Sequence, residues 1–179
     1  MKHEISEFIK KYAIFLVLVM LIAFFAIRST RFFTISNAIT IARQVSMNGI
    51  AAVGMTFVIL IGGIDLSIGS QVAFIDILGA YMMAKMGVPP IWAVLICISA
   101  AIISGYIVGI LVTVVKIPAF IATLALMSVL RGLALTISQG LPISGLPPGF
   151  KTLGQGYWGP IPIPVYIMLF IVALGIFMR

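Results

Sequence analysis

Across 179 residues, 63% are hydrophobic and only 8% are charged, a mixture that cannot clothe a soluble globule in solvated surface. The net charge of +7 comes from basic residues set between apolar runs, not along one stripe, which argues against a nucleic-acid face and for topological anchors in a membrane. No His or Cys cluster, nucleophile elbow or phosphate-binding glycine loop offers a foothold for enzyme chemistry, and no cofactor or metal site is expected.

Uncharged runs occur at Tyr12–Ile27, Gln44–Ile64, Met86–Val115, Gly132–Phe150 and Thr152–Met178. A helix needs about 20 apolar residues to cross hydrocarbon, so the chain predicts an all-α, polytopic transmembrane bundle of five to six spans. Residues 1–179 are expected to form a single transmembrane domain. With the N-terminus placed inside and six spans counted, five basic residues fall on each side. The positive-inside rule therefore leaves orientation open.

Residues 1–11 form a polar tail carrying an isolated His3, and the first span follows from Tyr12 and is stopped by Arg28. No small-residue cleavage site precedes Arg28, so the run reads as an uncleaved span and not a secretory signal. Residues 29–44 mix polar and aromatic side chains, with Ile35, Ala38, Ile39 and Ala42 at helical spacing. They predict a segment lying along the interface with Phe32 and Phe33 toward lipid; an external loop is the alternative.

The second span, near Val45–Ile61, carries Gly49, Ala51, Ala52 and Gly54, small residues that let neighbouring backbones approach. It ends in "GGIDLSIGS", Gly62 to Ser70, where Asp65 follows 21 uncharged residues and precedes ten more. A carboxylate at the bilayer centre costs roughly 2.5 to 3.5 kcal/mol on insertion scales. The glycine pair weakens a helix, and an acid followed closely by serine is a helix-start signal, with Asp65 offering oxygens to the backbone N–H groups near Ser67 and Ile68. The stretch predicts a broken helix at Gly62–Asp65. Gly62, Gly63, Asp65, Ser67 and Gly69 are thus candidates for the break and for a translocation path, with Asp65 read mainly as a cap and alternatively as a direct ligand contact.

A third helix, about Leu66–Ala84, carries Asp76 eleven residues after Asp65. That spacing puts the two acids about 20° apart on one face. The fourth span opens at Trp92 and repeats small residues at Ala101, Gly105 and Gly109, which predicts tight packing within this chain, a dimer face being the alternative. Cys97, the single cysteine, reads as a small buried apolar residue. The fifth span, about Phe120–Ser138, contains Arg131, for which Asp76 is the expected ion-pair partner and snorkelling to the interface the alternative. Residues 139–163 hold a Pro/Gly-rich loop before the last span, which reaches Met178.

The runs "MNGIAAVGMTFVILIGGIDLSIGS" and "IPAFIATLALMSVLRGLALTISQG" resemble the permease subunits of bacterial ABC importers for ribose and related monosaccharides, the ribose, xylose, arabinose and autoinducer-2 type. The resemblance extends from about Phe32 to the end. It implies a component of an ATP-driven monosaccharide importer in the bacterial cytoplasmic membrane, forming part of the translocation pathway. Its partners would be a cytoplasmic ATP-binding subunit, an extracytoplasmic sugar-binding protein, a second permease copy and membrane lipid, with ATP hydrolysis left to the partner. Family members are nearly twice as long, so the chain looks like an N-terminal half, with the loop that couples to the ATPase beyond Arg179. Asp76 departs from the family, which has a small or polar residue there. A non-transporting assembly or regulatory subunit is the alternative function, and a self-contained ion channel built on Asp65 and Asp76 a third.

Overall fold

The computed structural model describes residues 2–178, with side chains from Tyr12 onward. In chain order the elements are α1 (Lys2–Arg28), α2 (Ile35–Leu60), α3 (Ile68–Ala84), α4 (Pro90–Thr113), α5 (Ala119–Ser138), α6 (Pro148–Gln155), β1 (Tyr157–Trp158), β2 (Ile161–Pro162) and α7 (Ile163–Phe177). Three of the described helices, α2, α4 and α5, are long and apolar enough to cross a membrane, and Tyr12–Arg28, Ile68–Ala84 and Ile163–Phe177 are shorter apolar helices. The contacts divide the chain into two units, 1–44 and 45–179.

In the first unit, the turn after α1 is organised by Thr34. Its hydroxyl donates to Arg31 O (2.7 Å) and accepts from Asn37 N (3.3 Å), the arrangement of an N-cap bonding the third helical N–H. Asn37 Nδ2 donates back to Phe32 O at 2.8 Å. Because this cap starts α2 at Ile35, residues 35–44 are the opening turns of α2 itself, a correction to the separate interfacial segment expected at 29–44. Phe25 stacks on Phe32 at 6.2 Å, whereas Phe33 is 78% exposed.

In the second unit, prolines fix where helices begin. Pro90, Pro148 and Pro164 sit in the first turns of α4, α6 and α7, and Pro118 immediately precedes α5. A proline there forfeits no intrahelical bond, and its φ suits the first turn. The connections α3–α4 and α4–α5 share one design, a left-handed residue, an apolar residue and then proline. Gly87 (φ 68°) precedes Val88, whose N–H reaches Met82 O at 2.9 Å; Lys116 (φ 65°) precedes Ile117, whose N–H reaches Leu111 O at 3.0 Å.

Packing is densest where α3 meets α5 and α4. Ile64 lies by Thr123 at the start of α5, and Tyr81 and Lys85 line one cavity with Thr136 and Ser138 at its end, so α3 and α5 run in the same direction. Ile75 meets Cys97 while Met83 and Ala93 share the core, so α4 runs the opposite way. Gly79 lets α3 and α4 close up: a Cβ built on it would stand 3.1 Å from Cys97 Sγ. Cys97 is buried, as expected, and its thiol donates to Ile75 O at 3.6 Å. Along α2, Gly49 faces Met168 and Val53 and Phe57 face Gly175, so α2 and α7 lie side by side in the same direction.

Residues 139–163 are more than a loop. They contain α6 and the antiparallel ribbon Tyr157–Pro162 and Trp158–Ile161, and Tyr166 donates from its hydroxyl to Trp158 O at 3.1 Å. Leu146 and Phe150 from this segment pack onto Met82, Met83 and Ala93 at the α3–α4 end.

Candidate functional site

The stretch between α2 and α3 is non-helical from Ile61 to Ser67. Gly62, at φ +77°, turns the chain left-handed, a conformation that L side chains rarely adopt. Its N–H then reaches Ile59 O and that of Gly63 reaches Val58 O, both at 2.9 Å. These two bonds close the C-terminus of α2 by satisfying carbonyls that a helix end leaves open. Gly63 is needed for space: a Cβ there would come to 3.0 Å from Val58 Cγ1 and 3.1 Å from Val58 O.

Asp65 then organises the entry to α3. Its Oδ1 accepts from Ser67 N at 2.7 Å and from Ser67 Oγ at 2.6 Å. Ser67 is fully buried, so a single carboxylate oxygen satisfies both of its donors. The expected second contact, at Ile68, is not made; Ser67 stands between the acid and the helix, and its carbonyl accepts from Gln71 N at 2.8 Å. Thr123, only 2% exposed, donates to Ala119 O at 2.9 Å and lies 3.3 Å from Ile64 O, so the corner rests on the first turn of α5. Nothing in the sequence alone marks Thr123. A lone threonine in "FIATLALM" reads as span filler, and only the fold brings it to Ile64. Gly69 is exposed, and a Cβ on it would meet nothing within 4 Å.

The single face bearing two acids does not form. Asp65 lies outside the helix, so the angular relation expected for two residues of one helix does not apply to it. Asp76 instead lines a groove of about 610 Å³ between α3 and α4, together with Ala80, Cys97 and Ala101 and with Ile143, Leu146 and Phe150 from the segment after α5.

The expected Asp76–Arg131 ion pair is likewise absent among the described residues. α5 turns Leu130 and Ala134 inward, and Arg131, about 100° around from Leu130, is exposed and does not line the Asp76 groove. Charge chemistry alone suggested the pair, whereas the rotation of α5 decides it. The small-residue stripe of α4 also divides. Ala101 lines the groove, but Gly105 and Gly109 are exposed with no atom within 4 Å of an added Cβ, because α4 presents Ala93, Cys97 and Ser104 inward. Within 45–179 this stripe therefore packs against nothing at Gly105 and Gly109.

Residues 37–179 match the family model described as branched-chain amino acid transport system / permease component. The chain is 39% identical over 184 residues to the ribose import permease protein of Haemophilus influenzae, covering 98% of this chain and 57% of that protein. It is 43% identical over 157 residues to the ribose import permease protein of Bacillus subtilis (87% and 48%). It is 30% identical over 151 residues to the xylose transport system permease protein of Haemophilus influenzae (84% and 40%). The chain spans about half the length of the curated relatives it matches. No solved structure matches it. With a family match that includes the Gly62–Ser70 corner and apolar helices long enough to span, the chain is a multi-pass membrane protein and belongs to the permease-component family of these transport systems.

Proposed function

We propose that the chain is part of the membrane permease of an ATP-driven importer for monosaccharides of the ribose class, and that it forms one wall of the translocation pathway. The observation that carries this reading is the 39% and 43% identity to two ribose import permease proteins over nearly the whole chain. On this reading ATP hydrolysis belongs to a separate cytoplasmic subunit, an extracytoplasmic binding protein delivers the sugar, and a second permease copy completes the path.

Six passages are proposed, by α1, α2, α3, α4, α5 and α7. Alternation of direction supports the count: α3 and α5 run one way and α4 the other, and α7 sets out beside α6, whose Phe150 sits at the C-terminal end of α3. The corner at Gly62–Ser67 would then interrupt the helical path where α2 gives way to α3. Its role is to hold a non-helical backbone, with Asp65 satisfying Ser67, at a place where moving helices need a fixed joint. Uptake of a panel of labelled sugars by cells carrying or lacking the locus tests the substrate class. Retained uptake of every pentose and hexose would leave the assembly or regulatory alternative.

A further inference from the structure

The Asp76 groove has a chemistry that a sugar path does not explain. Of its walls, only Asp76 and Cys97 bring polar side-chain atoms other than the methionine sulfur; the rest is hydrocarbon, with Ile143, Leu146 and Phe150 completing the lining. The Cys97 thiol is already directed at Ile75 O. The Asp76 carboxylate, by contrast, accepts no hydrogen bond and forms no ion pair among the described residues. A sugar needs a polar partner for most of its hydroxyls, and this groove has one acid to give. At about 610 Å³ it matches the usual ligand pocket of roughly 300–1,000 Å³, largely apolar with a few polar groups that fix orientation.

Asp76 is exposed along this apolar groove, and an acid without a protein partner beside hydrocarbon gains most from a cation that brings its own hydrocarbon. We propose that this groove is a binding site for a small amphiphilic amine, its ammonium on the Asp76 carboxylate and its apolar body along Ile98, Ala101 and Phe150. The site is separate from the corner at Gly62–Ser67 and does not depend on which sugar is carried.

The test is saturation binding of radiolabelled 4-phenylbutylamine to the full permease in lipid nanodiscs, with uncharged 4-phenylbutanol as a competitor of nearly the same shape. Saturable binding is expected, with the alcohol at least tenfold weaker. Asp76→Asn, close in size, should weaken the amine at least tenfold, and Ala101→Phe, which fills the groove while leaving the acid, should do the same. Thermal melts establish that both variants are folded. Absence of saturable binding to the wild type, equal competition by the alcohol, or unchanged affinity in folded Asp76→Asn would each overturn the proposal. The comparison of amine with alcohol on the wild-type protein needs no variant to fold.

Discussion

Replacing Asp65 by alanine removes the only acceptor that either donor of Ser67 has among the described residues, its N–H at 2.7 Å and its hydroxyl at 2.6 Å. The hydroxyl can rotate toward another carbonyl, but the N–H is fixed by the backbone of a residue with no exposed surface. One orphaned buried donor costs about 1–3 kcal/mol, and the lost charge-assisted bond adds to it, so Asp65→Ala should destabilise by about 2–4 kcal/mol. Asparagine keeps an oxygen at the same place and loses only the charge, about 1 kcal/mol on the same scale. Since about 1.4 kcal/mol is a tenfold change in an equilibrium, the alanine variant should show a clearly lower unfolding temperature and accumulation while the asparagine variant stays near wild type. Thermal unfolding of the purified permease and its abundance in membranes read both quantities. If Asp65→Asn is as damaging as Asp65→Ala, the acid acts through its charge and the account of the corner as a hydrogen-bonded joint is wrong.

Other perturbations follow from the same geometry. At Gly62, alanine should cost about 1–2 kcal/mol because a left-handed residue pays that for a Cβ, whereas asparagine, which tolerates this conformation, should cost less in the same melts. Conversely Lys116, a non-glycine at φ 65°, should gain about 1 kcal/mol when changed to glycine, provided its charge has no other role; a loss of stability would refute the strain. Gly79→Ala should destabilise by about 1–3 kcal/mol through its approach to Cys97, with Cys97→Ala restoring most of the loss in a double-mutant cycle; simple additivity would refute the contact. Arg131→Leu and Asp76→Leu should add in their effects on accumulation, and recovery in the double variant would reveal a pair that the described structure lacks.

The membrane character, the apolar helices and the corner could be read from composition and local pattern, because each depends on residues close in sequence. The Gly62–Gly63 pair marked the end of α2, while α4 and α5 start at Pro90 and Ala119, just before the expected Trp92 and Phe120, because proline fixes the first turn. The start of α2 was legible in Thr34 followed three residues later by Asn37, but the polar run around it imitates an interfacial segment. α6 and the two-residue ribbon escaped because elements so short leave no periodic signal among prolines and glycines. What sequence could not supply was relative rotation. Which side of α5 faces α3 decides that Arg131 turns away from the Asp76 groove, and which side of α4 faces α3 decides that Cys97 is inside while Gly105 and Gly109 are not. Those rotations are set by contacts such as Gly79 with Cys97 and Ile64 with Thr123, which join residues 18 and 59 positions apart.

Whether the chain serves a ribose-class importer is decided by uptake of labelled ribose, with xylose and a hexose alongside, in cells carrying the intact locus, a deletion, and the deletion complemented by the full permease gene. Deletion is expected to abolish high-affinity uptake of a ribose-class sugar, and complementation to restore it. Unchanged uptake of every monosaccharide in the deletion strain would contradict that expectation.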